Sequence, residues 1–259
     1  MKGRSTLTRI LLSLLVMALL ALSGPLAGLA APASAPPEPV TFGKIPTPDE
    51  FVGFEVGSDY NLVDYKQSVA YFRAVAEASN RVVIQDIGES TLGLPMVEAI
   101  ISAPHNLAKL DRYREIQKKL ADPTLMAPGE AEKLLAEAKP VVSITTTTHS
   151  TEIAGSQMVL KLLYNLAASN SQEVQEILDN VILLLNPCSN PDGQQMEVEW
   201  YRKYLKENLD WASSGVPWLY HYYAGHDDNR DWYMFNLKET QAIGRIHYQE
   251  WFPEIIYDI

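Results

Sequence analysis

The chain has a single cysteine among its 259 residues, so it can form no disulfide within itself. Basic residues are also few, because 21 lysines and arginines face 32 aspartates and glutamates and leave a formal net charge of −11. That balance provides no basic face for nucleic acid and no polybasic patch for anionic lipid. The fold must therefore be held by packing, and a hydrophobic content of 47% is typical of a globular domain.

The N-terminal apolar run is too short for a typical membrane span, which needs roughly 20 residues. The run, "ILLSLLVMALLALS", occupies positions 10–23 and is followed by small residues and prolines. It is preceded by three basic residues, Lys2, Arg4 and Arg9. This order predicts a signal peptide over residues 1–33 and an exported protein, secreted or extracytoplasmic. An uncleaved N-terminal anchor is the alternative.

After a Pro/Ala-rich linker over residues 34–50, the pattern predicts one domain over 51–259. Stretches with β-rich composition are expected to form strands at 81–88, 96–102, 140–148, 181–187 and 253–259. Stretches with helical periodicity occupy 64–79, 106–123, 129–138, 153–169 and 171–180. Because strands alternate with helices, the chain is expected to form a mostly parallel sheet covered by helices on both faces.

A histidine and a glutamate stand three positions apart where the predicted strand "PVVSITTTT" ends. At that spacing His149 and Glu152 can converge on one point. An imidazole nitrogen and a carboxylate oxygen are two thirds of a His2Glu catalytic zinc set, in which water occupies the open position. The alternative is structural, with Glu152 placed at the positive end of the next helix. Sites form at the carboxyl ends of strands in such sheets, so the position is compatible with a metal site, but the pair alone does not decide between the two alternatives.

Two later motifs are each ambiguous on their own. "SNPDGQQ" (189–195) follows a predicted strand and is an ordinary turn signal. "AGHDDNRDWYMFN" (224–236) contains Asn229 and Arg230, and an arginine with a neighbouring amide is suited to bind a carboxylate. The alternative is a surface loop in which Arg230 pairs with a neighbouring aspartate.

The order of these motifs resembles that of the zinc carboxypeptidases of the carboxypeptidase A/B type. His-x-x-Glu, N-P-D-G and G-x-D-x-N-R-D-W follow one another at intervals of about 40 and 35 residues. The segment that begins at Tyr71 and runs to Ser102 also resembles the family's opening helix, strand, turn and strand. The resemblance covers roughly residues 55–259 and implies a three-layer α/β/α domain with a mixed, mostly parallel sheet.

The resemblance assigns roles to five residues of this sequence. His149 and Glu152 match the first two zinc ligands, and Asn229 with Arg230 matches the pair that holds the terminal carboxylate of the substrate. Arg202 is a candidate for the arginine that polarises the scissile carbonyl, although its spacing from Gly193 is shorter than expected. The alternative for Arg202 is a solvated position on a helix.

The remaining catalytic groups of the family have no match in the chain. The resemblance places the third ligand, a histidine, directly after Ile259, and the general-base glutamate further on. We therefore expect the chain to be the N-terminal part of a longer enzyme, with a catalytic domain truncated at its C-terminus. Four other histidines could complete a site instead, and His226 is the best placed of them: His105, His221, His226 and His247.

The implied function is that of an exported metallocarboxypeptidase with one zinc ion per site, which hydrolyses C-terminal residues from peptides or proteins. This chain alone is expected to be inactive. Two alternatives stay open, a zinc amidase acting on cell-wall peptides and a catalytically inactive peptide-binding member of the family. Cys188 follows an apolar strand directly and is expected to pack against the core.

Overall fold

The computed structural model describes residues 44–205 and 228–259. The predicted signal peptide and most of the predicted linker lie outside the described residues, as do His221 and His226. The fold begins earlier than the predicted boundary at residue 51, because Ile45 is already buried and a helix starts at Pro48.

Nine α-helices are described. They are α1 Pro48–Val52, α2 Tyr65–Ala78, α3 Pro104–Leu107, α4 Leu110–Ala121, α5 Ala131–Glu137, α6 Ala154–Ala168, α7 Gln172–Asn180, α8 Pro191–Trp200 and α9 Lys238–Arg245. Turns of π-helix extend α8 and α9 over Tyr201–Leu205 and Ile246–Trp251, and 3-10 turns form at Pro123–Leu125 and Asp228–Arg230. Within residues 44–205 and 228–259, no helix is both long and apolar enough to cross a membrane.

Among the described residues, five strands form one sheet in the order β1-β2-β4-β3-β5. They are β1 Val82–Glu89, β2 Pro95–Ile101, β3 Val141–Thr145, β4 Ile182–Leu185 and β5 Ile255–Asp258. β3 pairs in parallel with both β4 and β5, whereas β2 is antiparallel to β1 and to β4. Four of the five strands therefore run in one direction, and the predicted mixed α/β sheet is confirmed.

Helices cover both faces of the sheet, as predicted, so the domain has three layers. One face packs beneath α2, α6 and α7 through a core that includes Phe72, Leu160, Leu178, Ala99 and Leu185. The other face packs beneath α4, α5 and α9 through a second core that includes Ile116, Leu134, Ile243, Ile100 and Leu184. Alternate residues of the central strands β2 and β4 thus belong to opposite cores, which is why their sequences are continuously apolar.

The segment "NPDG" begins a helix and does not form the tight reversal that its composition suggested. The Asn190 side chain accepts a hydrogen bond from the Gly193 amide and caps α8, with Pro191 in the first position of the helix. Asn at an N-cap followed by Pro is a helix start signal as well as a turn signal. The ten residues that follow Asn190 are helical, so the segment acts as a helix start and not as a turn.

Cys188 lies in the core, which confirms its predicted position. The thiol is free, 1% exposed, and packs with Tyr65, Val69 and Val97. Burial raises the pKa of the Cys188 thiol, because the thiolate would lose its hydration.

Two titratable side chains are buried against the second core. Glu98 on β2 is 2% exposed, and its Oε2 accepts a hydrogen bond of 3.3 Å from the Asn186 amide. Burial raises the pKa of Glu98 from 4.5 to about 8. His247 lies under β3, with its Nε2 2.8 Å from Ser143 Oγ, and burial lowers the pKa of His247 from 6.5 to about 4. Both groups are therefore neutral in the fold near neutral pH.

These shifts make stability depend on pH in a way that Glu98→Gln should reveal. Between pH 4.5 and 8 the unfolded chain ionises Glu98 and the folded chain does not, so stability falls as pH rises, by up to about 1.4 kcal/mol per pH unit. Glu98→Gln removes this slope, so its stability relative to the parent should increase from pH 5 to pH 8. Urea unfolding at each pH measures the difference.

The contribution of His247 provides the internal check on that experiment. His247 binds its proton more readily when unfolded, so its contribution is lost as pH falls from 6.5 towards 4. That loss is common to both proteins and cancels in their difference. A stability difference that does not change with pH would contradict the buried, neutral Glu98.

Candidate functional site

The carboxyl ends of β3, β4 and β5 meet at one edge of the sheet because the three strands are parallel. The chain segments that leave them are joined by backbone hydrogen bonds. Ser189 N donates to Thr146 O at 2.7 Å, and Thr147 N donates to Ile259 O at 2.9 Å. The edge is therefore one continuous hydrogen-bonded layer and not three separate loops.

The four threonines of "TTTT" supply the side-chain bonds of this layer, and each is at most 3% exposed. Thr145 and Thr148 donate to the Asp258 carboxylate at 2.7 and 3.2 Å, which joins β3 to β5. Thr146 donates to Pro187 O at 3.1 Å, which joins β3 to the segment after β4. The run reads as a strand from its β-branched composition, yet β3 ends at Thr145, and the remaining hydroxyls serve the loop.

His149 and Glu152 lie at the two ends of one tight turn, closed by a hydrogen bond of 3.0 Å from Glu152 N to His149 O. His149 is half-buried and Glu152 is exposed. The helix α6 begins at Ala154 and has no acidic residue in its first turn. Glu152 lies one residue before the N-cap Ile153, at the N-terminal end of α6, so its position is compatible with both the metal role and the helix-dipole alternative.

Asn229 reaches the same edge from 80 residues further along the chain. Its Nδ2 lies 3.1 Å from His149 Nε2. Arg230 follows in the same short 3-10 turn, Asp228–Arg230, and is exposed. The guanidinium of Arg230 forms no ion pair or hydrogen bond with the residues that the structure describes, Asp228 included.

Arg202 lies in the π-helical extension of α8 and is engaged at the start of α2. Its Nη1 donates to Asp64 Oδ2 at 2.7 Å, and its Nη2 donates to Leu62 O at 2.7 Å and to Gln67 Oε1 at 2.8 Å. Asp64 is also the N-cap of α2, where its Oδ1 accepts from Gln67 N. Arg202 is exposed on a helical segment, as in the solvated alternative, but its guanidinium is engaged by α2, and its role at a scissile carbonyl stays a prediction.

Two of the other four histidines lie within the described residues, and neither is at this edge. His105 is exposed on α3, which follows β2, and β2 ends at the opposite edge because it runs against its neighbours. His247 is engaged by Ser143 beneath the sheet. Within the described parts of the chain, no group of three or more His, Cys, Asp or Glu side chains could hold a metal ion.

Asp192 makes structural contacts that its turn-like sequence did not predict. Its Oδ1 accepts from Ser90 Oγ at 2.6 Å and its Oδ2 from Leu92 N at 2.8 Å, so the buried carboxylate shapes the turn between β1 and β2. Glu239 on α9 holds Thr91, the residue between Ser90 and Leu92, because it accepts a hydrogen bond of 2.6 Å from Thr91 N. The N-P-D-G pattern names Asp192, but its acceptor role depends on a partner 100 residues away.

Comparisons with known proteins give one family match and several similar structures. The family model described as zinc carboxypeptidase matches residues 68–250. Among solved structures, the chain is similar to a carboxypeptidase A from Shewanella denitrificans OS-217, at 17% identity and a TM-score of 0.50, over 77% of this chain and 40% of that one. The chain is also similar to the carboxypeptidase A of Helicoverpa armigera, at 16% identity and a TM-score of 0.49, over 82% of this chain and 51% of that one.

The chain thus spans about half or less of the length of these two structures, 40% and 51%. At such low identity the structural similarity supports the fold alone. No curated protein matches the chain in a sequence search.

The contacts of Arg202 predict a structural cost for Arg202→Ala. The substitution removes three hydrogen bonds and leaves Asp64 without its guanidinium partner, so the free energy of unfolding should fall by about 1 kcal/mol, with the partial exposure of Arg202 already considered. The matched control is Lys203→Ala, because Lys203 is the exposed neighbour whose contact is the ring of Tyr204. Equal urea midpoints for the two variants would show that Arg202 does not hold α8 against α2.

Proposed function

We propose that this chain, which belongs to the zinc carboxypeptidase family, carries metal-binding and substrate-binding residues of an exported enzyme that removes C-terminal residues from peptides. The contact between Asn229 and His149 supports this proposal most directly. It joins a residue of the expected carboxylate clamp to a residue of the expected zinc site, although 80 positions separate them. Core packing gives no reason for that approach, whereas a substrate that spans metal and clamp does.

His149 and Glu152 are the residues that we propose to hold zinc. Their imidazole and carboxylate are donors that zinc prefers, and the turn between them keeps both at the carboxyl end of β3. In this contact the Asn229 amide donates to Nε2, so a zinc ion bound at that nitrogen would take the place of the Asn229 donor. Zinc, when bound, supplies Lewis-acid polarisation of a carbonyl and a more acidic water.

The substrate's terminal carboxylate is the proposed partner of Arg230 and Asn229. Arg230 is exposed and forms no ion pair within the described residues, so its guanidinium can meet an incoming anion. The chain carries a net charge of −11, which disfavours the approach of an anion, but the Arg230 guanidinium gives a peptide carboxylate a favourable local contact. An enzyme that cuts within a chain has no use for such a clamp, which favours an exopeptidase.

The other catalytic groups are less well supported. Among the residues that the structure describes, no group of three or more His, Cys, Asp or Glu side chains could hold a metal ion. Arg202 would have to leave Asp64, Leu62 and Gln67 to reach a scissile carbonyl. We therefore keep the oxyanion role of Arg202 as a proposal that its present contacts do not favour.

The metal assignment predicts that the chain binds zinc weakly and through His149 and Glu152. His149→Ala and Glu152→Gln should each weaken zinc binding by more than about tenfold, the lower range of the loss seen when even an outer partner is removed. Competition with a chromophoric chelator measures the affinity. His105→Ala is the matched control, because His105 is an exposed histidine at the opposite edge of the sheet.

The control also decides how a negative result is interpreted. If His105→Ala reduces zinc binding as much as His149→Ala does, the metal is held by exposed histidines in general and the assignment is wrong. Circular dichroism of each variant shows whether the fold is retained.

The clamp predicts a preference for peptides with a free C-terminus. Arg230→Ala should weaken binding of a free peptide by about tenfold and leave binding of its amidated form nearly unchanged, because only the former loses a charge-assisted pair. Isothermal titration with both peptides measures the two affinities. Arg112→Ala is the control, since Arg112 is an arginine on α4 that is engaged by Glu115 and Glu137. Equal losses for the free and amidated peptides would remove Arg230 from the clamp.

A further inference from the structure

We propose that Thr147 is a positioning residue whose hydroxyl sets the shape of the turn that carries His149 and Glu152. This inference rests on the proposed function, because it takes those two residues to be the metal ligands. Thr147 is fully buried and lies two positions before His149, so it would act through the turn that carries the ligands.

The backbone of Thr147 lies in the left-handed region, with φ +55°. A β-branched residue is rarely found there, because its side chain is crowded by the backbone. Strained conformations of this kind persist where the surrounding contacts impose them, and they are concentrated at functional sites. Glycine would adopt the same φ without strain, so the presence of threonine requires another reason.

The hydroxyl of Thr147 supplies that reason. Oγ1 accepts a hydrogen bond of 3.1 Å from Ser156 N in the first turn of α6, and it lies 3.4 Å from Glu152 O, to which it donates. It therefore connects the end of β3 with the last residue of the ligand turn and with the start of α6. Glycine at position 147 would relieve the backbone and lose both bonds.

The other polar groups of Thr147 hold the residue in place. Its amide donates to Ile259 O at 2.9 Å, and its carbonyl lies 3.9 Å from the Cys188 sulfur. Gly155 on α6 is close as well, since a Cβ there would approach Thr147 Oγ1 to 3.5 Å and Ile259 O to 3.2 Å. With the backbone fixed and the helix this near, the Thr147 hydroxyl has little freedom to move away from Glu152 and Ser156.

Three substitutions separate the hydroxyl from the backbone strain. Thr147→Ser keeps the hydroxyl, Thr147→Val keeps the shape without it, and Thr147→Gly removes both the hydroxyl and the strain. Two measurements are made on the full chain, the hydrogen-exchange rate of the Ser156 amide without metal and the zinc affinity. If the hydroxyl is what matters, the exchange rate and the zinc affinity should rank the three variants in the same order.

We expect Thr147→Ser to bind zinc within about threefold of the parent, and Thr147→Val and Thr147→Gly to bind it about tenfold or more weakly. The Ser156 amide should exchange faster in Thr147→Val and Thr147→Gly than in Thr147→Ser. A general effect on stability would give another order, because Thr147→Gly relieves the strained φ and Thr147→Val does not. If Thr147→Val does not fold, the comparison of Thr147→Gly with Thr147→Ser decides.

The proposal would be overturned if Thr147→Gly, Thr147→Val and the parent bound zinc with equal affinity. It would also be overturned if Thr147→Ser lost as much zinc affinity as Thr147→Val. His149→Ala is titrated in parallel to separate this failure from that of the proposed function. If His149→Ala leaves zinc binding unchanged, the ligand assignment is wrong, whereas the exchange rates of the Ser156 amide still show whether the hydroxyl holds the turn.

Discussion

The parallel pairing of β3 with both β4 and β5 is the constraint on which the site depends. It brings three strand ends to one edge, where the backbone groups released from the sheet are buried and need partners. Threonine meets this need, because its β-branched side chain suits the strand and its hydroxyl can bond a neighbouring loop. Thr145 and Thr148 both donate to Asp258 of β5, and Thr146 donates to Pro187 after β4. These bonds hold the loop that follows β3 in one conformation.

The elements of the fold could be predicted because their signals are local. The apolar run "VILLLNP" contains β4, and the helical period of 153–169 contains α6, with boundaries that agree to within one or two residues. The start of α8 could not be read from "NPDG", because the same residues favour a turn and a helix cap. The strand predicted over 140–148 is longer than β3, which ends at Thr145. A run of β-branched residues favours extended backbone but does not mark where strand pairing stops.

The candidate site was predictable as a set of residues but not as a network. His149 and Asn229 were found through motif order, and they are in contact. The acceptors of Arg202 are at least 135 positions away, and a contact at that separation leaves no periodic signal in the sequence. The positive φ of Thr147 was equally hidden, because composition favours an extended threonine there. The sequence therefore did not predict the geometry that depends on contacts between distant parts of the chain.

The position of β5 has a practical consequence for handling the protein. β5 is the last strand of the described sheet, and its side chains Ile255, Ile256 and Tyr257 are 44%, 44% and 58% exposed. No described strand pairs with its outer side, and an apolar edge of this kind is a template for strand addition by another chain. We therefore expect β5 to accept strand addition by another chain, and an added charge on this strand should reduce that pairing.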